Sequence, residues 1–240
     1  MKIAICILEI QDCIELNFKS IKHHVERICL KKEVELIVFS QGILNGLYNC
    51  ESLNYDEKND NDIRDEFINK IAELSKKYKV CISFGFTKDD KKNSNSYMLF
   101  NSKGEVLLNQ SEGVINENLN KFGVAIGNDL FNKEYCDNLI ENKVKYIIHP
   151  FAKKETKFIS WEEALMLYCE RAKEIGISII GAGYIDDDYI GSGFYVDYKQ
   201  GLKAYLERDH IGILFVDTNK ELPCKDNSCN SNCKKGCLNA

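Results

Sequence analysis

The stretch FGVAIGNDLF, residues 122–131, decides how the chain is read. Phe122 to Ile126 is a short apolar run, Gly127-Asn128-Asp129 is turn chemistry, and helical apolar spacing begins at Leu130. A strand that turns sharply into a helix is where many α/β enzymes display a nucleophile, because backbone amides there face the reacting atom. Here the tip of the turn is Gly127, which has no side chain. Two readings follow: a plain strand-to-helix turn, or an elbow from which a nucleophile has gone.

The same alternation runs outward in both directions. Downstream, a helix is expected over about 130–142, with Leu130, Tyr135 and Leu139 inward. YIIHPFA (146–152) reads as a strand, Trp161 to Ile175 as a helix and ISIIGAGYI (177–185) as a strand. GFYVDYKQGLKAYLE (193–207) reads as a hairpin over Lys199-Gln200-Gly201, and IGILFVD (211–217) as the last strand. Upstream, KIAICILE (2–9) and ELIVFSQ (35–41) are buried strands around a helix from Asn17 to about Lys31. Asp62 to Lys77 places Ile63, Phe67, Ile71 and Leu74 on one helical face. VCISFGFT (80–87) is a strand, and YMLFNSKGEVLL (97–108) a hairpin over Ser102-Lys103-Gly104. Long loops are expected at 44–61 and 109–121. Strands of one kind continue on both sides of them, so a single α/β domain over 1–217 is expected, followed by a tail, 218–240.

Composition narrows the class. A hydrophobic content of 44% with 29% charged residues belongs to a soluble globular chain. The net charge of −5 and the absence of any basic cluster beyond Lys-Lys pairs argue against a nucleic-acid surface. No targeting signal is read in MKIAICILEIQD, and no run approaches the roughly 20 apolar residues of a membrane span. A cytoplasmic protein that binds neither membrane nor nucleic acid is expected. Seven cysteines (Cys6, Cys13, Cys29, Cys50, Cys81, Cys136 and Cys169) lie in apolar segments and read as small core residues.

Taken in order, eight short elements resemble the carbon–nitrogen hydrolase (nitrilase) superfamily. The first strand leads to Asp12 and Asn17 before the first helix. IVFSQGILNGLY supplies Phe39-Ser40-Gln41 and Gly46-Leu47-Tyr48; ISFGF (82–86) and NSYMLFNSKGEVLL (95–108) follow. VAIGND stands where the family has its nucleophile elbow. YIIHP, then Trp161 with Arg171-Ala172, then GSGFYVDYKQG complete the series. The resemblance covers about residues 1–217. It implies a four-layer αββα sandwich and a homodimer formed by stacking helices, here those near 130–142 and 161–175. It also implies amide or nitrile hydrolysis by a cysteine nucleophile, a glutamate base and a lysine that helps hold the oxyanion.

Carried over residue by residue, all three types are missing. The glutamate falls on Gln41, an amide that cannot act as a base near neutral pH. The cysteine falls on Gly127 and the lysine on Glu112, with Asn109, Gln110 and Ser111 its non-lysine neighbours. Possible substitutes are weak. Cys136 lies about 13 Å beyond the elbow at helical rise, Lys121 precedes the elbow strand, His149 ends a strand, and His23-His24 lies on a helix. The turn keeps the amide of Asn128 and a helix start capped by Asp129 or Asn128. The expectation is a catalytically degenerate binding or scaffold protein, with Gln41, Gly127 and Asn128 around a small amide or carboxylate. The alternative is an active amide or nitrile hydrolase whose residues are misaligned or unorthodox.

CKDNSCNSNCKKGC (224–237) stands apart. Cys224, Cys229, Cys233 and Cys237 have no large apolar residue between them, so they cannot serve a core. Thiolates this close suit Zn²⁺, Cu(I) or an iron–sulfur cluster, although the spacing matches no zinc-ribbon pair. The other readings are a tail of reduced or disulfide-bonded thiols, one with a redox role, or a substrate for a cysteine-modifying enzyme.

Overall fold

The computed structural model describes residues 1–11, 13–47, 57–88, 94–111, 113, 121–152, 160–185 and 191–220. Within them the chain runs β1 (Lys2–Ile7), α1 (Ile14–Lys31), β2 (Leu36–Phe39), α2 (Glu57–Tyr78), β3 (Cys81–Lys88), β4 (Ser94–Phe100) and β5 (Val106–Ser111). It continues through β6 (Phe122–Val124), a 3-10 turn (Gly127–Phe131), α3 (Lys133–Glu141), β7 (Tyr146–Phe151) and α4 (Trp161–Ile175). It then forms β8 (Ser178–Gly183), β9 (Gly193–Asp197), β10 (Gly201–Tyr205) and β11 (Gly212–Asp217).

These strands make two sheets, ordered β11-β1-β2-β3-β4-β5 and β10-β9-β8-β7-β6. Each sheet repeats one plan: three parallel strands joined through helices, then two antiparallel neighbours. β11 returns to pair antiparallel with β1. Alternation along the strands creates two apolar faces per sheet. The inner faces meet through Ile3, Ile5, Val38 and Leu99 on one side and Val124, Ile148, Ile180 and Tyr195 on the other. One outer face is covered by Ile21 and Val25 of α1 with Phe67 and Ile71 of α2. The other is covered by Tyr135 and Leu139 of α3 with Leu165 and Tyr168 of α4. The result is the αββα sandwich.

Local chemistry explains the helix ends. Ser160 and Glu163 form a reciprocal capping box at the start of α4, and Gly176, at φ 70°, ends it. Asn132 caps α3 by accepting from the Tyr135 amide at 3.2 Å. Several expected boundaries move. The elbow strand pairs only to Val124, and the expected 130–142 helix is a 3-10 turn followed by a shorter α3. The loops expected at 44–61 and 109–121 are partly structured: residues 57–61 already belong to α2, and 109–111 to β5. Polar composition there masked helix and edge-strand backbone. Among the described residues no helix is long and apolar enough to cross a membrane.

Candidate functional site

In sheets with parallel strands, sites form where chain leaves their carboxyl ends. Two such exits, of β2 and β6, come together here with the exit of β5, which pairs antiparallel to β4. Tyr97 on β4 donates its hydroxyl to the Phe39 carbonyl at 2.6 Å, spanning β3 to reach the end of β2. Gln110 on β5 is the cross-strand partner of Tyr97. Its Nε2 donates to the Val124 carbonyl at 3.0 Å, at the end of β6 in the other sheet. Phe39, two residues before Gln41, and Val124, three before Gly127, are therefore each held by one of two cross-strand neighbours. Gln41, the β5 exit and the elbow open at one end of the sandwich.

Gln41 sits on a shelf, residues 40–46, that its neighbours hold rigidly. Gly85 donates its amide to the Ser40 carbonyl at 3.2 Å and accepts from the Leu44 amide at 3.3 Å. Asn45 and Thr87 exchange hydrogen bonds of 3.0 and 2.9 Å. Asn17 donates to the Leu44 carbonyl at 3.1 Å and also pins Gln11, which accounts for a buried asparagine at the start of α1, a helix that begins at Ile14 and not at Asn17 as the sequence suggests. A methyl group on Gly85 would lie 2.6 Å from the Gln41 Cα. The glycine of ISFGF is thus required by the approach of the Gln41 backbone. Gly85→Ala should cost about 1–3 kcal/mol through overpacking, read as a lower urea midpoint; an unchanged midpoint would refute this account of the shelf. Ser40 and Gln41 are both buried, and Ser40 Oγ and Gln41 Oε1 have no hydrogen-bond partner among the described residues.

The elbow is held by side chains from every direction. Tyr135 donates to the Val124 carbonyl at 2.5 Å and also contacts Gln110 Nε2. His149 Nδ1 lies 2.8 Å from the Ala125 carbonyl and therefore carries the proton. The Asp129 carboxylate accepts from the Ile126 amide at 3.3 Å. Arg171 Nε and Cys136 Sγ both donate to the Leu130 carbonyl, at 2.8 and 3.2 Å. Gly127 itself takes φ +52°, the left-handed region, where an L side chain costs about 1–2 kcal/mol. Asn128 is exposed at the rim.

The candidates read from sequence fare differently. Gln41, Gly127 and Asn128 fall at the same end of the fold. Neither Asn128 nor Asp129 caps α3; that role belongs to Asn132, because the 3-10 turn pushes the helix start downstream. Lys121 does not reach the elbow. Its carbonyl accepts from Lys145 and Tyr146 at the start of β7, so it lies at the opposite end of the sheet, its ammonium near Met1 Sδ and Tyr146. Cys136 is buried, and burial, opposed in part by Arg171, pushes its thiol up, so it is a hydrogen-bond donor and not a thiolate. His149 is buried in an aromatic cluster with Phe151 and Tyr168, and desolvation lowers it to about 4. His23 is exposed, and His24 Nδ1 lies 2.8 Å from the Ser20 carbonyl. Cys6 is buried as expected, whereas Cys13, Cys29, Cys81 and Cys169 are half-buried. Asp12, Tyr48, Cys50, Glu112 and the four tail cysteines lie outside the described residues. Among the described residues no group of three or more His, Cys, Asp or Glu is placed to hold a metal.

Sequence reading missed the clamps. Gln110 registers in the sequence only as a residue that is not lysine, and Arg171 only as part of a helix-ending pair. Their roles depend on contacts across sheets and layers, 14 and 41 residues away along the chain.

No protein-family model matches the chain, and no curated protein matches it by sequence. Solved structures do match. An amidase from Nesterenkonia sp. superposes with a TM-score of 0.75 at 14% identity, over 90% of this chain and 89% of its own. A double mutant of that amidase, with glutamate changed to glutamine and cysteine to alanine and in complex with acrylamide, gives 0.73 at 13% identity, over 90% and 89%. A carbon–nitrogen hydrolase from Helicobacter pylori G27 gives 0.72 at 16% identity, over 90% and 87%. Identities this low speak to architecture alone, and on that architecture the chain has the fold of the nitrilase superfamily of carbon–nitrogen hydrolases.

Proposed function

We propose that the chain is a non-catalytic binding or scaffold protein on the carbon–nitrogen hydrolase fold, taking a small amide or carboxylate between Gln41, Gly127 and Asn128. The features that support this reading are a glycine at the tip of the elbow and a buried glutamine just beyond β2. Glycine offers no nucleophile, and a carboxamide takes no proton near neutral pH. The buried Gln41 Oε1, unpartnered among the described residues, suits a ligand N–H. The acrylamide complex of the Nesterenkonia double mutant supports binding without cleavage in a site with glutamine and without the cysteine.

The test is a panel of amides and nitriles assayed for ammonia release, beside binding of acetamide, acrylamide and acetate followed by NMR. No ammonia and a saturable shift are expected. Release abolished by loss of one core cysteine would favour the active-hydrolase alternative; release that survives replacement of every cysteine would demand another nucleophile. Absence of any shift would remove the ligand from the proposal.

Two further parts concern assembly and the tail. Phe131, Ile140, Met166 and Leu167 are exposed on the helical layer of the second sheet, an apolar surface suited to stacking with a second copy. Met166→Glu is expected to shift the mass measured by light scattering from dimer to monomer, and a monomeric parent protein would refute the dimer. Cys224, Cys229, Cys233 and Cys237 are proposed to bind Zn²⁺, Cu(I) or an iron–sulfur cluster, on the strength of four closely spaced thiols. Changing all four to serine should abolish metal in the purified full chain; unchanged metal content would remove that proposal.

A further inference from the structure

We infer that Asp129 is a positioning residue whose carboxylate latches the exit of β5 onto the elbow and so sets the mouth of the site. The functional half of this inference rests on the reading of that mouth as a ligand site; the latch stands on geometry. Both carboxylate oxygens of Asp129 accept from the Gly113 amide at 3.1 Å, and Oδ2 also accepts from the Ile126 amide at 3.3 Å. Capping of the 3-10 turn needs only the bond to Ile126. The contact with Gly113 is additional, and it ties two segments 16 residues apart.

Several features make this a built contact. Asp129 is buried, so its charge depends on such donors, and hydrogen bonds to a carboxylate are about twice as strong as neutral ones. Gly113 has φ +72°, and a Cβ there would meet nothing within 4 Å. Glycine is therefore needed for the backbone conformation that meets the carboxylate, and not for space. β5 is tied to the elbow a second time by Gln110, through Tyr135 and the Val124 carbonyl. The phenol of Tyr135 is held up by burial and then by the charge of Asp129, which places that charge beside the same junction.

The isosteric variant Asp129→Asn leaves one acceptor oxygen for the two amides of Gly113 and Ile126, because it replaces the other by a donor while keeping the size. In ¹⁵N-labelled full-length protein, the Gly113 amide is expected downfield and slow to exchange. In Asp129→Asn it should move upfield and exchange about tenfold faster, the equivalent of one lost hydrogen bond. Acetamide titrated at a temperature where both proteins are fully folded should bind the variant about tenfold more weakly, since preorganisation of the mouth is lost. A purely structural role would lower the melting temperature and leave that dissociation constant unchanged, which would overturn the positioning role. A Gly113 amide that exchanges like an exposed glycine in the unaltered protein would overturn the latch without any variant. Should acetamide bind neither protein while the Gly113 signature still depends on Asp129, the latch stands and the ligand-site reading falls.

Discussion

Changing Gly127 to cysteine is expected to turn the elbow into an alkylation site for acrylamide, at a rate that saturates with acrylamide and is slowed by acetamide. The reaction balances within the two partners. Sulfur bonds to the terminal alkene carbon, and the thiol proton ends on the carbon next to the carbonyl. No base is restored, because Gln41 remains, so the variant should label without hydrolysing amides. The tail thiols and the half-buried Cys13, Cys29, Cys81 and Cys169 react, if at all, in simple proportion to reagent concentration. The readout is therefore the peptide spanning 122–131, followed by mass spectrometry. The same substitution places a side chain at φ +52° and should cost about 1–2 kcal/mol, a fall in Tm of about 2–8 °C for a chain of this size. Labelling that rises linearly with acrylamide and ignores acetamide would mean that the exits of β2 and β6 do not frame a site.

The second large effect is on acid stability. His149 is fully buried, its Nδ1 is committed to the Ala125 carbonyl, and its Nε2 has no partner among the described residues. Aromatic rings, Phe151 and Tyr168, flank it, and no carboxylate contributes to its titration. Desolvation lowers its pKa from 6.5 to about 4. Above pH 6.5 both folded and unfolded chains hold the imidazole neutral, so the group has no pH-linked effect there. Between pH 6.5 and 4 the unfolded chain binds the proton and the folded one does not, so stability falls as pH falls. The loss approaches about 3 kcal/mol by pH 4. His149→Phe should be less stable than the parent at neutral pH, because the Ala125 carbonyl loses its donor. Its stability should decline less steeply between pH 6.5 and 4. Urea midpoints measured across that range decide the matter; parallel curves for the two proteins would contradict the buried, neutral imidazole.

Much of the architecture was legible because periodicity reports burial. Trp161 to Ile175 was expected as a helix and is one, with Ser160 and Gly176 supplying unambiguous ends. The strands around Ile3, Ile37, Ile147 and Ile179 stood out as β-branched runs, being buried on both faces. The start of α2 was not legible, because Glu57 to Asp62 carries no apolar residue to mark the helical period. The 3-10 turn has no mark of its own in the sequence, since Leu130 keeps helical spacing whichever turn it occupies.

The residues of the candidate site divide the same way. Sequence by itself determined that neither Gln41 nor Gly127 can serve as base or nucleophile, because side-chain chemistry does not depend on the fold. It also determined the layered α/β class, because alternating periods of two and 3.6 leave few ways to bury both kinds of element. Only tertiary structure decided that Lys121 lies at the far end of its sheet, that Cys136 and Arg171 share the Leu130 carbonyl, and that Asp129 holds Gly113. Those pairings join segments that the chain separates and that two packed sheets bring together. A linear pattern records which residues are buried, but not which distant backbone group each buried polar atom must satisfy.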